Sequence, residues 1–295
     1  MVLFMIRFFL KYLSSEKRYS GHTLIAYKRD LEQFQSYLKA EFEISDFDEV
    51  KHVHLRSWIV ELTDLELSPV SVNRKIATLK SFYKFLVARE YLEANPAEEL
   101  KPLKTDRKLP SFIKESEVSL LLDSIEYNPD FEGQRDKLLL ELFYSTGIRL
   151  AELKNLKDND INFYENTIRV LGKRNKERIL PVNNSLIQLI RKYLNLKKTE
   201  GMGSTFLLLT DAGKPLYPMF IYRKIKSYLS LVTTQSKKSP HVLRHTFATH
   251  LLNKGADLNA VKDLLGHTSL AATQVYTHNS IEKLKEAFNQ AHPKA

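Results

Sequence analysis

Cysteine is absent from the 295 residues of this chain. Disulfides, thiolate nucleophiles, iron–sulfur clusters and cysteine-ligated zinc are therefore excluded together, and the expected compartment is the cytoplasm. Glycine and proline number only 9 and 10, too few for a collagenous or low-complexity chain. Long apolar runs are also missing. The opening MVLFMIRFFL is interrupted by Arg7 and followed by Lys11, whereas a secretory signal places its charge ahead of the apolar stretch. No other uncharged run approaches the about 18 residues that a membrane helix needs, so no membrane span or membrane partner is expected. Met5 offers a second translation start, from which MIRFFLKYL reads as a first amphipathic helix.

What is present is enough apolar residue, 43%, to build buried cores, in a length suited to two domains at about 150 residues each. The formal net charge is +10. Such a surplus fits either a solvated surface or a polyanion partner, and the placement of the charges has to decide.

Leu24, Tyr27, Leu31, Phe34 and Leu38 follow three-four spacing and predict a core-facing helix over 22–39. In the stretch from Ser68, that serine can cap a second helix and Pro69 suits its first position, while Val72, Ile76, Leu79, Tyr83 and Leu86 form the buried stripe. Arg74, Lys75, Lys80 and Lys84 are placed on its other faces, with no acid between them, which suits a helix lying along a DNA groove. The segment NPAEELKPLKTDRKLP has the composition of an extended linker and carries Lys101, Lys104, Arg107 and Lys108. The expected organisation is an N-terminal helical domain over 1–100, a basic linker over 101–112 and a second domain over 113–295.

Beyond the linker, 137–145 reads as an apolar helix ended by Gly147, with a short helix starting around Arg149. TIRVL and ERILPV are strand signals joined by GKRNK, which predicts a β-hairpin with a cationic tip including Lys173 and Arg174. HVLRHTFATHLLNKG predicts a helix closed by Gly255, and DLNAVKDLLGH one capped by Asp257 and closed by Gly266. A last helix is expected from about Ser280, with Ile281, Leu284 and Phe288 as its apolar stripe. The fold class is thus mainly α, with a small β-sheet or hairpin in the C-terminal domain.

Anion-seeking residues recur in separate segments: Arg149 in TGIRLAEL, Lys173 in LGKRNKER, His241 and Arg244 in HVLRH, and His267 in LLGH, with Tyr276 nine residues on. His241 and Arg244, three apart on a helix, can address one phosphate together. His241 and His245 also stand at a metal-ligand spacing, but Arg244 beside them would oppose a cation and H-E-x-x-H is absent, so no metal site is expected. His245 and His250 are expected to serve as core or hydrogen-bonding residues.

Taken together, TGIRLAEL, GKRNKER, HVLRHTFATHLL, LLGH and VYTH resemble the tyrosine recombinases of the phage integrase family, specifically the Xer branch. EKRYSGHTLIAYKRDLEQF and the closing YTHNSIEKLKEAFNQAHPKA extend the likeness over essentially the whole chain. The resemblance implies a C-shaped clamp formed by an N-terminal helical, SAM-like core-binding domain and a catalytic domain ending in an exchange helix donated to a neighbouring protomer. It implies Arg149, Lys173, His241, Arg244, His267 and Tyr276 as the catalytic set, with Tyr276 the nucleophile, and no cofactor.

The implied chemistry is attack by Tyr276 on a DNA phosphodiester. Its phenol, of ordinary pKa near ~10, must lose its proton, with His241 as acceptor or relay. Arg149 and Arg244 would grip the non-bridging oxygens, His267 would add a hydrogen bond, and Lys173 would protonate the departing 5′ oxygen. Glu152, one helical turn from Arg149, is expected to orient that guanidinium. The implied partners are a double-stranded DNA recombination site, a homo- or hetero-tetramer with a related recombinase, and a septal DNA translocase, in the setting of chromosome dimer resolution.

Four rivals remain at this stage. A type IB topoisomerase would act as a monomer, and a mobile-element integrase or invertase would use the same chemistry, though an arm-binding integrase needs a further N-terminal domain. A non-catalytic DNA-binding protein would form no covalent adduct. A metal-dependent nuclease would leave hydrolysed ends and lose activity in chelator.

Overall fold

The computed structural model describes residues 2–105, 111–172, 177–266 and 291. The chain divides into two compact units, residues 1–108 and 109–295. Unit 1 contains α1 (Val2–Ser15), α2 (Gly21–Phe42), α3 (His52–Asp64) and α4 (Pro69–Ala88). Each packs an apolar stripe inward, so Phe9, Phe34, Phe47, Trp58 and Phe82 meet in one aromatic core. The Phe34 and Trp58 rings lie 4.9 Å apart and the Phe47 and Phe82 rings 4.9 Å, the latter edge-on as their quadrupoles favour. Capping follows the sequence: Ser20 and Ser68 each accept a backbone N–H of the first turn, and Pro69 opens α4.

The stretch expected to be linker starts bound to unit 1. Asn73 on α4 brackets Leu103, donating to its carbonyl at 2.9 Å and accepting its N–H at 2.7 Å, and Lys80 donates to the Leu100 carbonyl at 2.9 Å.

In unit 2, a short α5 (Glu115–Ser119) runs into a π-helical turn and is followed by α6 (Phe131–Thr146). The latter starts six residues before the predicted 137, because Asp130 caps it by accepting the Gly133 N–H at 2.8 Å. Nearly the whole of α6 is buried, as befits a central core helix. α7 (Leu150–Asn155) leads to an antiparallel sheet in the order β1 (Ile161–Asn162), β2 (Thr167–Leu171) and β3 (Glu177–Pro181). The last two form the expected hairpin, with Ile168 opposite Leu180 and Val170 opposite Arg178. α8 (Asn184–Thr199), α9 (Pro218–Val232), α10 (Pro240–Asn253) and α11 (Leu258–Leu265) complete the described elements. Asp257 caps α11 and Gly266 ends it with a positive φ of 63°, both as the sequence predicts. None of the described helices is long and apolar enough to cross a membrane. The hairpin tip, the final helix and its Ile281, Leu284 and Phe288 lie outside the described residues.

Candidate anion-binding site

Arg149 reaches its place through a forced break. Gly147 ends α6 at φ 59°, and a Cβ there would stand 2.5 Å from the Phe247 ring, so only glycine fits. Two residues later Arg149 is the N-cap of α7, its side chain 30% exposed. Glu152, three residues into the helix, turns back to accept the Arg149 backbone N–H at 2.9 Å and its guanidinium at 2.9 Å. Glu152 thus contacts Arg149 at both backbone and guanidinium, the contact that an orienting role would use.

The same carboxylate holds a second arginine that the motif reading passed over. Arg178 on β3 forks onto Glu152, donating from Nη1 to Oε1 at 2.6 Å and from Nη2 to Oε2 at 2.8 Å. With two donors on each oxygen, all four lone-pair sites of Glu152 are in use. Burial would raise the Glu152 pKa, but the hydrogen bonds and charge of Arg178, and then those of Arg149, outweigh it and hold the carboxyl below its ordinary value. Glu152 is thus a fixed anion. The signal that could have revealed Arg178 is the two-residue period of ERILP, which puts it on the buried face with Leu180.

Arg244, the third arginine, is only 8% exposed and lies on α10. Its guanidinium donates to the carbonyls of Gly147 and Leu265, and among the described residues it has no ion pair. Burial, reinforced by the charges of Arg149 and Arg178 and only partly offset by Glu152, pushes its pKa down to about 9.

The three guanidiniums share one support. At the end of α11, Leu264 accepts from Arg178 Nε at 3.0 Å, Leu265 accepts from Arg244, and Gly266 accepts from Arg149 Nη2 at 2.7 Å. The last carbonyls of a helix lack intrahelical partners and form the negative end of its dipole, so cations are favoured there. Gly266 also leaves room for them, since a Cβ on it would stand 3.2 Å from both Arg149 Nη1 and Arg178 Nη1.

His241 is exposed in the first turn of α10, one turn before Arg244. His245 is partly buried, and this burial, with the nearby His241 charge, lowers its pKa. His250 is buried and hydrogen-bonded to the Tyr144 hydroxyl at 3.1 Å, in keeping with a packing role. Lys173, Arg174, His267 and Tyr276 lie outside the described residues, as do Arg107 and Lys108.

One cation of α4 is misplaced by the sequence reading. Lys75 is not on an outer face: it is 5% exposed, donates to Asp30 at 3.0 Å and to Gln33 at 2.5 Å, and stands 5.6 Å from the Trp58 ring. The inward face of α4 is wider than its apolar stripe, and Asp30 on α2 supplies the counter-charge that lets a lysine enter the core. Arg74 also binds Asp30 but stays half exposed, Lys80 is tied to the Leu100 carbonyl, and Lys84, Lys101 and Lys104 are exposed.

Chemically, three guanidiniums facing one carboxylate leave a positive surplus beside an exposed edge at Arg149. Two unit charges 4 Å apart repel by about 4 kcal/mol at an effective dielectric near 20, so the arrangement favours an arriving anion, and planar forks favour a phosphate or carboxylate.

Residues 111–283 match the phage integrase family, and residues 6–90 match the N-terminal SAM-like domain of phage integrases. The chain belongs to this family. The tyrosine recombinase XerC of Chlorobaculum tepidum is 37% identical, over 97% of this chain and 94% of its own. XerC of Oceanobacillus iheyensis is 39% identical over 97% and 95%, and XerD of Staphylococcus aureus 36% identical over 97% and 98%. Xer-type tyrosine recombinases therefore match this chain along nearly its whole length. In fold, it is similar to the XerH recombinase bound to a palindromic difH substrate, at a TM-score of 0.72 and 24% identity over 90% of this chain and 78% of that one.

Proposed function

We propose that this tyrosine recombinase performs site-specific recombination of DNA through a covalent 3′-phosphotyrosyl intermediate. The observation that carries the proposal is Arg244, buried beside Arg149 and Arg178 with no ion pair among the described residues. A scissile phosphate would supply the missing anion.

In this reading the Tyr276 oxygen attacks phosphorus as its proton passes to His241. The bond from phosphorus to the 5′ oxygen breaks, and Lys173 gives that oxygen a proton, so a 5′ hydroxyl leaves. Arg149, Arg244 and His267 hold the non-bridging oxygens of the pentavalent state. Ester energy is kept in the tyrosyl linkage, so a hydroxyl of another strand can reverse the step without a nucleotide or other cofactor. Repeated in pairs by four protomers, the exchange passes through a Holliday junction. Arg74, Lys80, Lys84, Lys101, Lys104, Arg107, Lys108 and Arg174 would grip the DNA backbone, with the domain over 1–100 and the catalytic domain over 113–295 joined by the basic stretch of 101–112. The biological task would be resolution of chromosome dimers in the cytoplasm at cell division, with a related recombinase and a septal DNA translocase as partners.

The test is to recover the fragments of its own genome that the purified protein retains covalently after denaturation. Enrichment of one short inverted-repeat site at the replication terminus is expected, and Tyr276→Phe should retain nothing while still binding DNA. Sites at the ends of mobile elements would favour integration instead. Retention by Tyr276→Phe would remove Tyr276 as nucleophile.

A further inference from the structure

Arg178 is buried, yet it binds two supports of the arginine cluster, the Glu152 carboxylate and the carbonyl end of α11. Its side chain is 5% exposed, both ends of its fork lie on Glu152, and its Nε donates to the Leu264 carbonyl at 3.0 Å. Glu152 in turn holds Arg149 by backbone and side chain, and the next two carbonyls of the α11 end hold Arg244 and Arg149. Three separate elements meet at this one side chain: β3, which carries the hairpin towards Lys173, α7 behind Arg149, and α11, which leads directly into His267.

We infer that Arg178 is a positioning residue for phosphoryl transfer, fixing Arg149 through Glu152 and locking the hairpin strand to the carbonyl end of α11 that also supports Arg244. Each of its three nitrogens donates to a protein oxygen and its side chain is buried, so it acts through the other two arginines and not on the phosphate itself. An aliphatic core residue at this position would leave Glu152 with half its donors and free to swing Arg149. A lysine would keep the charge but could not span both oxygens and Leu264 in one plane, because its ammonium is a point donor. The inference rests on the phosphate-cleaving reading proposed above.

That dependence shapes the test. Single-turnover formation of the covalent adduct is measured at saturating nicked DNA for the unaltered protein, Arg178→Lys and Arg178→Ala. Each is given a scissile phosphodiester and, separately, a methylphosphonate, in which a methyl group replaces one non-bridging oxygen and removes its negative charge. On the phosphodiester both variants should be slower by roughly 10- to 100-fold, the range in which groups supporting a direct ligand act, with DNA affinity within about threefold. On the methylphosphonate the deficit should shrink to about threefold or less, since misdirected arginines matter less when no charge needs neutralising. A purely structural role predicts the same deficit on both substrates, and that result, or full activity of both variants on the phosphodiester, would overturn the inference. Thermal unfolding identifies a variant that fails to fold. Arg178→Lys, which keeps the buried charge opposite Glu152, then carries the comparison. If the unaltered protein itself forms no adduct, the underlying assignment of phosphate cleavage fails, and the inference falls with it.

Discussion

Asp30 in unit 1 and Glu152 in unit 2 are both carboxylates buried among cations, and the two arrangements end differently. In unit 1, Asp30 receives Arg74, Lys75 and the Thr78 hydroxyl, while Lys75 is further enclosed by Gln33 and the Trp58 ring. The lysine is sealed inside, donating to Asp30 and Gln33 and standing over the Trp58 ring. In unit 2, Glu152 receives Arg149 and Arg178, but Arg244 stands beside them holding only carbonyl oxygens among the described residues, and Arg149 keeps an exposed edge. The first arrangement joins α2 to α4 and is complete as it stands. The second leaves Arg244 on carbonyl oxygens alone among the described residues, the position that the proposed function gives to a scissile phosphate. A buried ion pair alone therefore says little about function, and what separates the two sites is that Asp30 touches both of its cations directly, whereas Arg244 touches no carboxylate among the described residues.

Stability should not separate them. Removing one partner of a buried pair leaves an uncompensated charge, so Asp30→Asn and Glu152→Gln should each destabilise their own unit by about 3–5 kcal/mol in denaturant unfolding. A loss below about 1 kcal/mol in either would mean that its cations relax to water, and the likeness between the two sites would break. Acid acts on the Glu152 site in a defined direction, because the folded pKa of this carboxyl lies below its ordinary value. Its contribution is complete above the unfolded carboxylate pKa and is lost as pH falls through the folded one, so the stability gap between the native protein and Glu152→Gln should close on that acid side.

Somewhat smaller in free energy, but confined to unit 2, is the effect of Arg244→Ala. Loss of a donor to the developing charge should slow adduct formation by roughly 10²–10³-fold at saturating DNA. The thermal stability of this variant should hold or rise, because a buried like charge has been removed from Arg149 and Arg178. Slower cleavage together with a large loss of stability would instead make Arg244 a structural strut.

Local chemistry explains what could be read in advance. Ser68 with Pro69, Asp257 with Gly266, and Gly147 act within a turn of their own positions, so caps and stops were legible. So was the pairing of Glu152 with Arg149, which are three residues apart. Lys75 and Arg178 were not, for a common reason. The partner of Lys75 lies 45 residues away, and Arg178 finds Glu152 at 26 residues and Leu264 at 86. Charge alone puts Lys75 on an outer face and gives no role to Arg178, whereas periodicity in α4 and β3 places both on inward faces, and only tertiary contact supplies the counter-charge. The early start of α6 has a simpler cause, since its first turn is polar and its cap, Asp130, precedes the apolar run.

The difference between the two carboxylates reduces to one measurement: the single-turnover cleavage rate of Asp30→Asn and Glu152→Gln on saturating nicked DNA, each corrected for its folded fraction. Asp30→Asn should cleave within about threefold of the native rate, while Glu152→Gln should fall by roughly 10²-fold as Arg149 loses its orientation. Equal rates for the two variants would contradict the account, because Glu152 would then be no more than a second Asp30.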